Sequence, residues 1–319
     1  MRRLVVLRAL TVFESRLLRE AAPEWEVVSY IESGNLEALL PGAEAVVVAG
    51  WDERIRRCSL VEGSPLRWIH TWSSGIERIP LEELKMRGIR LTCSRGVYAV
   101  PIAESVLLMM LWFARNGRTY LESQLNRQWR IDKQGGELYG KTLGLLGVGG
   151  IGREIAIRAR AFGMRVLGYR RNDKPVEGVD ILYSQDRLDT LVAESDYIVN
   201  SLPLNFATAG LVDDKLIRMM KRSAYYINVG RGGTTNQDAL TQALLEDRLS
   251  GAGLDVFQEE PLPASSPLWQ LSNVLLTPHA AGTSDRAEER SMERFLDYFR
   301  NYAQGCLQNV PFVDYDEGY

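Results

Sequence analysis

Histidine is nearly absent from this 319-residue chain, which carries only His70 and His279. A reaction that moves a proton near neutral pH therefore has few side chains to draw on. Cysteine is also scarce: Cys58, Cys93 and Cys306 are odd in number and widely scattered. That pattern excludes a disulfide framework and a cysteine zinc site, and it fits a reducing compartment. Positive charge is not in excess; 38 Lys and Arg stand against 41 Asp and Glu, for a formal net charge of −3. This balance gives no electrostatic case for nucleic acid or an anionic membrane as partner. Long hydrophobic runs are missing too. The longest, 106–114, is too short to span a bilayer. The apolar run 4–7 is ended by Arg8, so no signal-peptide core forms behind Met1-Arg2-Arg3. A cytoplasmic chain is expected.

What is present is organised around residues 142–172. Leu143, Leu145, Leu146 and Val148 form a short apolar run of the kind a buried parallel strand needs. Gly147, Gly149 and Gly152 follow as G-x-G-x-x-G. In that motif the first glycine makes the sharp turn, the second admits a pyrophosphate to the backbone, and the third lets helix and strand pack closely. Ile151, Ile155, Ala159 and Phe162 then share one helical face, and 165–169 reads as the next strand. The motif alone is weak. Its placement between strand and helix is what makes it a dinucleotide site.

The rest of the chain repeats the strand–helix alternation. Runs 4–7, 25–30, 45–49, 68–71 and 89–92 read as strands of a first parallel sheet, with no glycine fingerprint after any of them. Residues 93–101 read as a crossing loop, 102–121 as a long helix weakened at Arg115, Asn116 and Gly117, and 123–138 as a loop linking domains. A second series has strands at 143–148, 165–169, 197–200, 224–229, 253–256 and 274–276, with helices near 151–162, 186–194, 213–221 and 236–247. Residues 284–304 read as a terminal helix capped by Ser284. The expected fold is α/β: two Rossmann-like or flavodoxin-like domains with parallel sheets and a cleft between them. Residues 1–100 plus 285–319 form a discontinuous substrate-binding domain, and 101–284 the dinucleotide-binding domain.

His70 sits inside the strand 68–71 and reads as an interior histidine. His279 lies just past the strand 274–276, where open α/β sheets place ligands. Arg231 emerges between glycines in Asn228-Val229-Gly230-Arg231-Gly232-Gly233, again past a strand end. A guanidinium there can fork onto a carboxylate and polarise a neighbouring carbonyl, or it can be a solvated turn arginine. Asp255, Glu259 and Glu260 cluster past another strand. One of them hydrogen-bonded to His279 would fix its tautomer and favour its protonated form, and spacing does not choose among the three.

Ordered motifs along the chain give it a specific resemblance. Trp72-Ser73-Ser74-Gly75-Ile76-Glu77, Pro101-Ile102-Ala103-Glu104, the glycine stretch with Ser201-Leu202-Pro203-Leu204, the arginine turn, and the segments Leu254–Pro263 and Thr277–Gly282 follow one another as in the D-isomer-specific 2-hydroxyacid dehydrogenases. The chain is similar to the glyoxylate and hydroxypyruvate reductases of that family. The resemblance implies Arg231, Glu260 and His279 as the catalytic set. It implies substrate held by Ser74, Gly75 and Ile76 with Arg231 and His279. It implies a cofactor site made by Gly147, Gly149, Gly150, Ile151, Gly152, Arg170, Arg171, Leu202, Pro203, Val229, Gly230, Arg231, Asp255, His279 and Gly282. No metal is implied, and a homodimer is, with the apolar helix 106–113 as candidate surface.

Three departures from the family pattern matter. Relatives that prefer NAD end the second strand with an acid, whereas Arg170, Arg171 and Asn172 stand here. Guanidiniums attract a 2′-phosphate, so NADP is the expected cofactor, with NAD possible in the rest of the site. Thr234 and Thr235 stand where relatives usually carry apolar residues, and Phe206 replaces a polar residue expected near the cofactor. The expected activity is NAD(P)H-dependent reduction of a small 2-oxo acid to the D-2-hydroxy acid. The alternatives are a dinucleotide-sensing interaction protein of corepressor type and another family enzyme, such as a phosphoglycerate dehydrogenase.

Overall fold

Short apolar runs separated by helix-length connections leave the chain little choice but parallel strands joined by crossovers. The structure is a computed structural model that describes residues 1–30, 36–51, 53–132, 134–171 and 174–316; Asn172 lies outside them. The chain divides into two units, one of residues 1–98 with 285–319 and one of residues 99–284.

Among its described residues the first unit holds five parallel strands: β1 (Arg2–Val6), β2 (Trp25–Ser29), β3 (Ala45–Val48), β4 (Trp68–Thr71) and β5 (Arg90–Cys93), in the order β2-β1-β3-β4-β5. Alternate residues of each strand serve opposite faces. Val5, Val46, Val48, Ile69 and Leu91 build one core. Leu4, Val6, Ala45, Val47 and Trp68 build the other, covered by the Ala287–Ala303 helix through Phe295, Tyr298, Phe299 and Tyr302. The Trp68 ring stacks 4.6 Å from that of Tyr302. His70 belongs to this core. It is 1% exposed, and its Nδ1 lies 2.8 Å from Thr92 Oγ1. The Trp68 indole donates to the same oxygen at 2.9 Å, so the threonine proton is free to go to His70 Nδ1. Burial pushes the His70 pKa down to about 3. His70 is an interior, neutral histidine.

Among its described residues the second unit holds seven parallel strands: β6 (Thr142–Leu146), β7 (Arg165–Tyr169), β8 (Ile181–Tyr183), β9 (Tyr197–Asn200), β10 (Tyr225–Asn228), β11 (Gly251–Leu254) and β12 (Val274–Leu276). Their order is β12-β11-β10-β9-β6-β7-β8. The order reverses at β6, so the loops after β6 and β9 flank the switch point where such sheets bind ligands. Leu143, Leu145, Val166, Val199 and Ile227 face the helices Ala99–Ala114 and Gly150–Ala161. Leu146, Leu167, Ile198, Tyr226 and Leu254 face the other side.

Several local expectations are corrected. The helix expected over 102–121 starts at Ala99 and breaks into Ala99–Ala114 and Gly117–Leu125. Asn116 stands at the break in a left-handed conformation, φ 54°. The segment 123–138 lies within the second unit and does not link the two, and its first residues are helical. The three-residue strand β8 was not expected. Ser284 does not cap the terminal helix: the cap position is Arg286 and no side chain caps it. The helical stretch 106–113 buries Val106, Leu107, Met109 and Met110 in its own unit, leaving Leu108 exposed. Among the described residues no helix is long and apolar enough to cross a membrane.

Candidate functional site

The glycine turn follows β6 directly. The helix Gly150–Ala161 has Gly149 at its N-cap and no side chain capping it. Its first-turn N–H groups are thereby left for an anion. A Cβ at Gly149 would meet nothing within 4 Å, so the backbone there is open to approach. A Cβ at Gly152 would fall 2.4 Å from the Gly147 carbonyl oxygen, so only glycine permits the tight strand-to-helix passage. These features fit the pyrophosphate of a dinucleotide. The Gly147 N–H donates to the Tyr169 carbonyl at 3.1 Å, which brings the end of β7 beside the turn. Arg170 and Arg171 come next in the chain. The Arg170 guanidinium donates to the Lys174 carbonyl at 3.5 Å.

His279 and Glu260 are brought together from loops after adjacent strands β12 and β11. His279 Nδ1 lies 2.7 Å from Glu260 Oε2. The other carboxylate oxygen accepts the Phe257 N–H at 3.0 Å, which fixes the acid's direction. Burial pulls the Glu260 pKa upward, but the His279 hydrogen bond, the Phe257 N–H and the charges of His279 and Arg231 outweigh it, and the carboxyl sits below the ordinary glutamate value. Hence Glu260 is a carboxylate at neutral pH. His279 itself has φ 52°, a left-handed backbone that is uncommon outside glycine. Its N–H donates to the Asp255 carbonyl at 2.8 Å. Nδ1 is taken by the acid, so Nε2 is the nitrogen left to face a substrate.

Asp255 does different work. Its carboxylate is 2% exposed and turned toward the segment carrying His279. Oδ1 accepts the Thr277 hydroxyl at 2.5 Å and the Ala280 N–H at 2.8 Å, and Oδ2 accepts the Ala281 N–H at 3.0 Å. Thr277 was missed from sequence, although it stands two residues before His279 in the same motif. Glu259 is exposed beside Glu260.

Arg231 leaves the carboxyl end of β10, the strand next to β11. Its Nη1 donates to the Gly230 carbonyl at 2.8 Å. A Cβ at Gly232 would lie 1.9 Å from the Phe257 carbonyl carbon and oxygen, so the arginine turn and the Glu260 loop interlock only through that glycine. Leu202 and Val229 are buried at the ends of β9 and β10, and Pro203 is exposed.

The residues expected to hold substrate in the first unit follow β4. Ser74 is exposed, Ile76 is buried, and the Gly75 N–H donates to Ser73 Oγ at 3.1 Å. Trp51 and Trp72 pack against hydrophobic cores of the first unit. The Tyr98 hydroxyl donates to the Trp72 carbonyl at 3.0 Å, and Trp269 Nε1 to the Pro263 carbonyl at 3.0 Å. Phe206 is fully exposed on the loop after β9.

Comparison with known proteins identifies the family. Residues 107–281 match the family model of the D-isomer specific 2-hydroxyacid dehydrogenase NAD binding domain. A glyoxylate reductase of Korarchaeum cryptofilum is 35% identical over 254 residues, 76% of this chain and 75% of that one. A hydroxypyruvate reductase of Thermotoga maritima is 34% identical over 276 residues, 84% of this chain and 87% of that one. The crystal structure of an NADPH-dependent glyoxylate/hydroxypyruvate reductase from Sinorhizobium meliloti, in complex with NADP and sulfate, is similar with a TM-score of 0.83 and 26% identity, covering 100% of both chains. The glycine turn, the arginine turn and the histidine loop thus stand on a chain that belongs to the D-isomer specific 2-hydroxyacid dehydrogenases, NAD(P)-dependent oxidoreductases with small-molecule substrates.

Proposed function

We propose that this dehydrogenase reduces a small 2-oxo acid of the glyoxylate or hydroxypyruvate type to the D-2-hydroxy acid, with NADPH as preferred cofactor. The observation that carries the reading is the 2.7 Å contact between His279 Nδ1 and Glu260 Oε2, with Nε2 left for substrate. The Glu260 carboxylate favours the imidazolium, and His279 gives its Nε2 proton to the carbonyl oxygen of the 2-oxo acid. Arg231 pairs with the substrate carboxylate and polarises the adjacent carbonyl. Ser74, Gly75 and Ile76 are assigned to the same carboxylate on the family resemblance. The bound nicotinamide dinucleotide supplies the hydride. Asp255 holds the 277–281 segment in place and lies on the nicotinamide carboxamide side of the site.

Arg170 and Arg171, placed beside the glycine turn by the Gly147–Tyr169 hydrogen bond, support the NADPH preference. Their guanidiniums complement a 2′-phosphate. The S. meliloti relative, whose complex contains NADP, points the same way. A homodimer is supported by the apolar residues the second unit exposes: Leu108, Leu121, Leu125, Trp129 and Ile131.

NADPH consumption with a panel of 2-oxo acids, including a phosphorylated one, tests the reading. Turnover of glyoxylate or hydroxypyruvate is expected. Tight NADPH binding with no turnover of any panel member would favour a dinucleotide sensor instead, and selective turnover of the phosphorylated acid a phosphoglycerate dehydrogenase.

A further inference from the structure

Beneath the arginine turn the second unit buries five polar side chains in one connected network. Asn200 and Asn228 are the last residues of the neighbouring strands β9 and β10 and are register partners. Each closes the same local turn. Asn200 Oδ1 accepts the Leu202 N–H at 3.1 Å, and Asn228 Oδ1 accepts the Gly230 N–H at 3.1 Å. With Oδ1 committed to an N–H, each Nδ2 must point inward. Asn200 Nδ2 donates to Tyr226 Oη at 2.9 Å and to Thr234 Oγ1 at 2.8 Å. Asn228 Nδ2 donates to Thr235 Oγ1 at 3.2 Å and to the Arg231 carbonyl at 3.3 Å. Tyr226 Oη and Thr235 Oγ1 share a hydrogen bond of 2.6 Å, and Thr234 Oγ1 donates to the Arg231 carbonyl at 2.6 Å. None of the five is more than 3% exposed.

We infer that Thr234 and Thr235, through Tyr226, Asn200 and Asn228, are positioning residues that set the direction of Arg231. The inference rests on the substrate-orienting role proposed for Arg231. The Arg231 carbonyl is the network's hub: it accepts from Thr234 N, Thr234 Oγ1 and Asn228 Nδ2. Three donors fix the peptide plane after Arg231. The Asn228–Gly230 turn fixes the chain before it, so the Cα–Cβ direction of Arg231 has no slack on either side. The network also joins the loops after β9 and β10, because Asn200 holds Leu202 and Asn228 holds Gly230. An apolar pair at 234 and 235 would fill the same space and give the Arg231 carbonyl only two of its three donors, leaving the inward N–H groups of Asn200 and Asn228 without their threonine acceptors. This explains why two threonines stand where the family usually carries apolar residues: with two asparagines and a tyrosine buried below, the hydroxyls complete the bonding.

Thr234→Val keeps shape and removes the hydroxyl. The measurement is kcat and KM for glyoxylate, with the NADPH Kd and the melting temperature of each variant. Thr234→Val is expected to lower kcat/KM on the order of tenfold or more while the NADPH Kd stays within about twofold, because the lost hydroxyl bonds the Arg231 carbonyl and Asn200 Nδ2 and the glycine turn that fits the pyrophosphate is untouched. Thr234→Ser, which restores the hydroxyl, is expected to return kcat/KM to within about twofold of the parent. Tyr226→Phe, which removes one hydroxyl and keeps the ring, gives the same split if Thr234→Val does not fold. Arg231→Ala separates the two layers. If Arg231→Ala loses turnover while folded Thr234→Val and Tyr226→Phe keep kcat/KM within about twofold of the parent, the network proposal is overturned and the Arg231 role stands. If Arg231→Ala itself keeps kcat/KM, the role of Arg231 is wrong and the proposal falls with it. Equal loss in Thr234→Val and Thr234→Ser also contradicts the proposal, since it would trace the effect to packing and not to the hydroxyl.

Discussion

Glu260 approaches His279 with one carboxylate oxygen, 2.7 Å from Nδ1, while its other oxygen is held by the Phe257 N–H at 3.0 Å. Both carboxylate oxygens are thereby engaged. Its depressed pKa means the carboxylate partner is present above the ordinary glutamate range and is lost only as pH falls through the lower folded value. On the proposed mechanism the carboxylate holds the Nδ1 side of the His279 ring and leaves Nε2 to give its proton to substrate. Glu260→Gln removes that carboxylate, and kcat/KM for reduction at neutral pH should fall roughly ten- to a hundredfold. Steady-state kinetics of parent and variant check this; near-parent turnover in Glu260→Gln would show that the carboxylate does not serve the ring.

Cofactor choice is expected to follow Arg170 and Arg171. Replacing both, Arg170→Glu with Arg171→Ala, removes two guanidiniums and places a carboxylate where a 2′-phosphate would sit. The ratio of kcat/KM for NADPH over NADH should fall by about tenfold or more. A parent enzyme that already prefers NADH tenfold would defeat the cofactor assignment outright.

The interior position of His70 is legible in the sequence. His70 lies in a continuous apolar strand, and the structure places it among Trp72, Phe295 and Tyr298. The strands 68–71, 165–169, 197–200 and 274–276 were legible to the residue, because each is a short run rich in aromatic and branched side chains between turn residues. The choice of Glu260 over Asp255 and Glu259 was not legible from spacing, since all three follow one strand and only the loop path decides which meets the ring. The split of the helix at Asn116 was foreshadowed by Arg115-Asn116-Gly117. The strand β8, three residues long, carries too little pattern to announce itself. In the sequence the buried network shows only as two threonines at positions where the family pattern is apolar. Its partners Asn200, Tyr226 and Asn228 come from strands that sequence order separates, and only the parallel register joins them.

His70 gives a stability signature in acid. Its folded pKa of about 3 lies below its ordinary value of 6.5, so the unfolded chain binds a proton that the folded chain refuses. Above pH 6.5 both states are neutral and the residue has no effect on pH dependence. As pH falls from there toward the folded value, stability drops with a slope approaching about 1.4 kcal/mol per pH unit from this group. His70→Gln should flatten the fall of the melting temperature between neutral and acid pH. Parallel curves for parent and variant would show that another group governs the acid transition.

Assembly is expected to use the apolar residues exposed on the second unit. Trp129 is 97% exposed and Ile131 71% exposed, near Leu121 and Leu125 in the chain. Sedimentation should give the mass of a dimer for the parent, and Trp129→Asp with Leu125→Asp should shift it toward the monomer. A monomeric parent at micromolar concentration would contradict the expectation.

The most direct test of the central claim is the His279→Ala variant, with kcat/KM for glyoxylate and NADPH affinity measured on the same preparation. The expected result is a fall in kcat/KM of about 10²- to 10⁴-fold with NADPH binding retained, because the proton donor is gone and the glycine turn is intact. Near-parent turnover in His279→Ala at neutral pH would contradict the assignment of His279 as the proton donor.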